Sequence, residues 1–287
     1  MFSIVVPTWN NLACLRLLID SIGRHSAFEH QIIVHVNDGR DGSAEWVRSR
    51  IGRRDGEPRL DATFSAANIG ICLAVNEAAS LARHDYIVYL NDDMVCLPGW
   101  DSALARAIAA QPDDHFMLSG TMIEPRATGN PCVVVADFGD APERFREADL
   151  LKALPGLATT DWNGATWPPT VVHRRWWFAV GGYSVEFSPG MSSDNDLAMK
   201  LWHTGCRRFI GIGDALVYHF QCKSTGRIVR NDGRRQFLHK WGMTQSSFDR
   251  HALRRGTRPA LPSLPEPADS ASLRFDQLRG NLKRRFT

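Results

Sequence analysis

The feature that most limits what this chain can fold into is a regular alternation over residues 1–120. Residues 3–7 (SIVVP), 31–36 (QIIVHV), 60–64 (LDATF) and 86–90 (YIVYL) are short, largely apolar runs rich in β-branched side chains, the pattern of strands buried on both faces. Amphipathic segments lie between them: residues 12–22 put Leu15, Leu18, Ile19 and Ile22 on one face, and residues 71–81 behave alike. Strand–helix alternation predicts a layered α/β fold with right-handed crossovers and a mostly parallel central sheet flanked by helices. Ligands of such sheets bind beyond the carboxyl ends of the strands. Here those ends are polar: Thr8–Asn10, Asn37–Gly39 and Asn91–Asp93.

The remainder is less regular. Residues 120–185 are rich in Pro, Gly and Trp. A helix is expected over 195–204, with Ser192, Ser193 or Asp194 as N-cap and Gly205 past its end, followed by a strand over 208–219. Prolines 259, 262, 265 and 267 predict a linker. Residues 272–286 then space Phe275, Leu278, Leu282 and Phe286 as a short basic amphipathic helix. Charge divides accordingly: the chain carries a net +3, but residues 223–287 hold 15 Lys and Arg against 5 Asp and Glu. That basic quarter suits a membrane-surface, phosphate-rich or nucleic-acid partner, or is simply a solvated face, and its last helix either meets an anionic membrane or packs on the body or a second subunit.

With 44% hydrophobic and 23% charged residues among 287, the chain can bury a core, which excludes a disordered or disulfide-stapled polypeptide. Its six scattered cysteines form no CxxC pair, so reduced thiols are expected. Neither a membrane span nor a signal peptide is read in the sequence, giving a cytoplasmic expectation, with possible peripheral contact at an anionic membrane. No nucleic-acid-binding module is recognisable.

Four groups could carry chemistry. The run YIVYLNDDM ends a strand in two adjacent carboxylates, Asp92 and Asp93. Like charges so close raise one pKa unless a cation neutralises them, and hard oxygen ligands suit Mg²⁺ or Mn²⁺; the other reading is a polar loop capping the next helix. Asp194 and Asp196 open a helix, as ordinary first-turn carboxylates or with one as general base. His219 ends a strand, as a structural residue or a ligand. Of nine tryptophans most are assigned to the core, leaving Trp162 and Trp167 as candidates to face an acceptor.

In order, SIVVPTWN, VNDG, NIGICLAVNEA, YLNDDM, VGGY, SDNDL and VYHFQCKS, with KWG at 240–242, resemble family 2 glycosyltransferases of the GT-A, Rossmann-like fold over residues 2–245. The resemblance implies a nucleotide-sugar donor (UDP-, dTDP- or GDP-sugar), a divalent cation and transfer with inversion to a glycan or lipid-linked acceptor. It implies a nucleotide-binding half, 1–120, an acceptor half, 121–245, and an extension, 246–287. Pro7, Thr8, Asn10, Asn37 and Asp38 match donor-binding positions, with Asn37 where Asp is usual. Asn68 and Gly70 match an NxG segment near the nucleotide. Asn91, Asp92 and Asp93 match the DxD motif, again with Asn first, making Asp93 the implied metal ligand with His219, and directing Asp92 toward the donor. Asp194 matches the catalytic base of an ED motif whose Glu is replaced by Ser193. Gly181 and Gly182 match a GG before the acceptor-side loop, where Asp196 also falls. Ser224 completes an HxxxxS match.

Two other classes share these features. One is a non-catalytic nucleotide-sugar-binding scaffold, hinted at by Asn91 and Ser193. The other is a sugar nucleotidyltransferase, but no Gly-rich triphosphate loop bearing Lys or Arg follows the first strand.

Overall fold

The computed structural model describes residues 1–52, 59–222 and 229–286. The expected alternation is present as β1 (Ser3–Trp9), α1 (Leu12–His25), β2 (Gln31–Asn37), α2 (Ser43–Arg48), β3 (Leu60–Ser65), α3 (Gly70–Ala79) and β4 (Tyr86–Tyr89). Next come β5 (Met94–Cys96), α4 (Trp100–Ala109), β6 (Met117–Glu124), β7 (Val134–Val135) and α5 (Glu147–Ala153). The chain continues with β8 (Trp162–Asn163), β9 (Thr170–His173), α6 (Arg174–Ala179), α7 (Ser193–His203) and β10 (Phe209–His219), then α8 (Gly233–Trp241), the single turn α9 (Gln245–Ser247) and α10 (Ala271–Phe286).

One mixed sheet runs β3-β2-β1-β4-β9-β6-β10-β5, with β7 on β6 and β8 on β10. Its amino-terminal half is parallel, as buried βαβ units require; β9 enters antiparallel between β4 and β6. The chain leaves β1 toward β2 and β3, then returns to place β4 on the opposite side of β1. That reversal opens a crevice at the carboxyl ends of β1 and β4. Side chains alternate between two apolar layers: Val5, Ile33 and Ile87 face α3 and α7, whereas Ile4, Val6, Ile32 and Val88 face α1, α2 and α4.

Register at the far side of the sheet decides what meets what beyond the strand ends. β10 pairs with β6 in parallel from Phe209↔Met117 to Ile212↔Gly120, then resumes at Leu216↔Thr121 after a bulge. The bulged segment is built tightly: a Cβ on Gly213 would come within 1.9 Å of the Thr159 carbonyl oxygen. Because of the shift Tyr218, not Ala215, lies beside Ile123, so His219 reaches Glu124. β5 pairs antiparallel with the same end of β10, His219 opposite Met94. The turn out of β4 is thereby held against β10.

The proline-rich stretch expected as a linker is instead a strap on the body. Ala260 N donates to the Asp161 carbonyl, Leu264 N donates to the Arg207 carbonyl, and Leu264 is buried in the same apolar cluster as Val5 and Leu197. The final helix packs by one face, through buried Leu273, Gly280 against Leu238, and Asp276 paired with Arg250 and His251. Its opposite face leaves Phe275, Leu278 and Leu282 exposed by 59%, 57% and 47%. No helix among the described residues is long and apolar enough to cross a membrane.

Candidate active site

A cleft of about 500 Å³ opens at the crevice and is lined by residues from both halves of the fold. Pro7, Thr8, Asn37, Asn68, Gly70, Asn91, Asp92, Asp93 and His219, all singled out in the sequence, line it. Thr8 is buried, and its hydroxyl has no hydrogen-bond partner among the described residues. A buried hydroxyl left so is costly unless a ligand or water meets it.

The loop ends are held by amides. Asn10 and Asp38 both take left-handed backbone conformations, φ 48° and 62°, which Asn and Asp tolerate better than most residues. Asn10 Nδ2 donates to Asp38 Oδ2 at 3.1 Å. The Arg40 guanidinium and then Asn10 hold the Asp38 carboxyl below the usual range. Asn37 Oδ1 accepts from Ile69 N at 2.9 Å and Ser65 Oγ at 3.1 Å, fixing the loop between β3 and α3. Asn68 Oδ1 caps Gly70 N at 2.9 Å. Gly70, at φ 80°, lets that turn approach the loop before α7: a Cβ there would lie 3.0 Å from Pro189 Cα, and the next amide, Ile71 N, donates to Pro189 O.

At the end of β4, Tyr89 OH donates to Asn91 Oδ1 at 2.7 Å, and Asn11 Nδ2 donates to Asp92 Oδ1 at 3.1 Å. Asp93 is buried. Its Oδ2 accepts from Cys222 N at 2.8 Å, and its Oδ1 lies 3.4 Å from His219 Nε2. The other ring nitrogen, Nδ1, sits 2.8 Å from Glu124 Oε1. Burial works against charge on His219, but the Asp93 and Glu124 carboxylates raise its pKa to about 10, and the same contact lowers Asp93 against burial. Glu124, buried and lining the cleft, is a site residue that sequence reasoning missed. Its only local sign is a carboxylate closing the apolar run MLSGTMIE.

This trio fits the divalent ion that the motifs imply. An imidazole whose Nδ1–H is engaged by a carboxylate can offer the Nε2 lone pair to a metal, with ring orientation fixed. Two buried carboxylates around one imidazole also carry negative charge to spare. Among the described residues no three His, Cys, Asp or Glu side chains converge as a ready-made cage. A Mg²⁺ or Mn²⁺ ion held here needs oxygens from a bound substrate.

Asp194 lies in the first turn of α7, outside the cleft lining, and it is partly buried. Ser192, at φ 66°, is the N-cap, without a side-chain cap bond, so Asp194 is not capping its own helix. Tyr183 OH donates to Asp194 Oδ1 at 2.5 Å, and Tyr183 packs edge-on against Tyr89. Burial pushes the Asp194 carboxyl up to about 6, opposed by the Tyr183 bond.

Four expected acceptor-side residues are placed away from the cleft wall. Asp196 is fully buried, accepting from Ser184 Oγ at 2.6 Å and Trp241 Nε1 at 2.9 Å and pairing with Lys240. Trp162 is fully buried, its Nε1 donating to Thr121 Oγ1, and stacks on Trp167 at 5.3 Å. Trp167, partly buried, is sandwiched further by Arg255 at 4.4 Å. Gly182 serves a turn at φ 58°, where a Cβ would meet Asn76 Oδ1 at 2.4 Å. Ser224 lies outside the described residues. All six cysteines are free, and Cys14 and Cys222 sulfurs lie 3.7 Å apart beside the cleft.

Against known proteins, residues 3–130 match Glycosyl transferase family 2. A curated relative, chondroitin synthase of Escherichia coli, is 22% identical over 247 residues, covering 76% of this chain and 34% of that protein. Among solved structures, residues 1–349 of S. aureus TarS in complex with UDP superpose with a TM-score of 0.58 at 14% identity, covering 83% of this chain and 63% of that one. GalNAc-T7 with UDP, GalNAc and Mn²⁺ matches with a TM-score of 0.55 at 13% identity, covering 81% of this chain and 44% of that one. The chain therefore spans about a third of the length of the curated relative and less than two thirds of these structures. The chain shares the fold of the TarS and GalNAc-T7 structures. Its amino-terminal part, residues 3–130, is the segment that matches family 2.

The trio makes a prediction independent of any substrate. Glu124→Gln removes one of the two carboxylates that raise His219. The imidazole should then titrate well below about 10 in an NMR pH titration of the metal-free protein. An unchanged His219 titration would show that Glu124 does not govern its charge.

Proposed function

We propose that this protein transfers a sugar from a nucleoside-diphosphate donor, with UDP favoured, to a hydroxyl of a glycan or lipid-linked acceptor, with inversion. The observation that carries this reading is the Asp93–His219–Glu124 constellation at the strand-end crevice, beside the unsatisfied Thr8 hydroxyl. UDP is preferred over dTDP or GDP because the TarS and GalNAc-T7 structures that share the fold contain UDP.

In this reading Thr8, Asn37, Asn68 and Asn91 hold the nucleotide end, and Asp92 faces the donor. Asp93 and the neutral Nε2 of His219 would hold Mn²⁺ or Mg²⁺, while Glu124 keeps the proton on Nδ1. A cation bound there supplies positive charge for the leaving diphosphate. Asp194 accepts the proton of the acceptor hydroxyl. As it does so, the oxygen forms its bond to the anomeric carbon and the bond to the diphosphate breaks. Tyr183 occupies Oδ1 of Asp194 and so orients the carboxylate. A pKa of about 6 suits a base working near neutral pH.

The exposed face of α10 supports a second element of this reading, contact with an anionic membrane where lipid-linked acceptors reside. Phe275, Leu278 and Leu282 point away from the body, and Arg274 and Arg279 are exposed on the same helix. Each basic residue near such a surface contributes about 1 kcal/mol. Replacing all three apolar residues with Glu leaves the packed face intact. It should abolish salt-sensitive binding to phosphatidylserine vesicles; undiminished binding would remove the membrane from the account.

Asp194→Asn should lower turnover by about 10²–10⁴-fold and leave UDP affinity nearly unchanged. Wild-type turnover should fall as pH drops below about 6, where Asp194 becomes protonated. The stability effect has the opposite sense. A carboxyl raised on folding loses stability as pH climbs from the unfolded value through the folded one. Asp194→Asn should therefore not lower Tm at pH 8, which separates lost chemistry from lost folding. Wild-type turnover in this variant would refute the base assignment.

A further inference from the structure

A second groove, of about 720 Å³, adjoins the donor cleft, and Thr128 lines both. One wall is the loop at 128–131 and the other the segment at 246–257. Arg250, Arg254 and Arg255 line it against a single carboxylate, Asp249. Asp249 is engaged: Oδ1 accepts from Asn195 Nδ2 at 2.8 Å and Oδ2 pairs with Arg255 at 3.1 Å. Arg250 is paired with Asp276 behind the groove, and Arg255 is flattened against Trp167. The Arg254 side chain is exposed and has no hydrogen-bonding or ionic partner among the described residues.

The turn that presents Arg254 is tightly fitted. Arg254 has φ 49°, a left-handed conformation uncommon for a long side chain. Its carbonyl accepts from Thr257 N and Thr257 Oγ1. Gly256, at φ 79°, brings the turn so close to the opposite wall that a Cβ would lie 2.5 Å from Pro131 Cγ. Gly256 N is tied to Asn163 O. The two walls are thus fixed to each other, and the turn places a guanidinium with no partner among the described residues over a basic groove that meets the cleft at Thr128.

From this geometry we propose that the groove is an acceptor subsite for a glycan bearing anionic groups, with Arg254 as the residue that recognises the anion. The proposal rests on the glycosyl-transfer reading and adds the acceptor's chemical class. Guanidinium matches the planar pair of oxygens that either a carboxylate or a phosphate presents. A sugar carboxylate and a phosphodiester are two sources of the same chemistry. The groove opens at Thr128, beside Glu124 and His219, so an acceptor lying in it would bring its terminal hydroxyl toward the donor.

The test is calorimetric binding of three probes to the full chain: a glucuronate-containing tetrasaccharide, a glycerol-phosphate oligomer and a neutral cello-oligosaccharide of similar length. At least one anionic probe should bind at least tenfold tighter than the neutral one, with affinity falling as salt rises. Which anionic probe wins identifies the source. Arg254→Glu should weaken that binding at least tenfold. Arg254→Gly, which relaxes the left-handed backbone while removing the charge, should also lose it and keeps the test valid if the Glu variant misfolds. UDP titrated in parallel reports on the donor cleft, so failure of the donor reading is seen separately. Equal affinity for all three probes, no binding of any, or full anionic binding by Arg254→Gly would overturn the proposal.

Discussion

Two carboxylates buried at strand ends on either side of one imidazole set the terms for everything around them. Asp93 and Glu124 are withdrawn from water, and isolated buried carboxylates are costly. In the protein alone, protonated His219 offsets them, which is why its pKa is raised so far. That solution leaves net negative charge at the mouth of a polar cleft. A cation arriving with a phosphate-bearing ligand meets the charge and lets His219 become neutral. The fold serves this arrangement: the turn from β4 into β5, the pairing of β5 on β10 and the bulge in β10 each bring one member of the trio to the others.

The two carboxylates that the motifs offer α7 do different work because a helix separates them. Residues two apart differ by about 200° around the axis. Asp196 therefore points into the core, where Ser184, Trp241 and Lys240 satisfy it and anchor α7 to α8. Asp194 points toward Tyr183, whose hydroxyl donates to it, and burial raises its pKa. One stabilises the helix that holds the other in place.

Much of the cleft was legible in the sequence because it is local. The apolar runs of β1, β2 and β4 give way to polar residues at their carboxyl ends, which sit at the crevice: Thr8, Asn37 and Asn91 to Asp93 are all found there. Glu124 was not legible, since its partner is 95 residues away and depends on a bulge that composition does not show. Trp162 and Trp167 were read toward the acceptor from their irregular surroundings. They form instead a stack, Trp162 fully and Trp167 partly buried, under the arginine groove, because indole area is stabilised by burial even in irregular segments. The prolines at 259–267 suggested a linker, yet their segment donates backbone hydrogen bonds to the body and buries Leu264. Proline shapes a strap as readily as it loosens one.

The central claim is that the trio is a metal-dependent donor site. The direct measurement is thermal unfolding of the wild-type chain and Asp93→Ala with UDP, in Mn²⁺ and in EDTA. Ligand at 100 times its Kd stabilises the folded state by about 2.7 kcal/mol. A clear rise in Tm with UDP and Mn²⁺, lost in EDTA and lost in Asp93→Ala, is the predicted result. A UDP shift of equal size in EDTA, or one retained by Asp93→Ala, would contradict the account at its foundation.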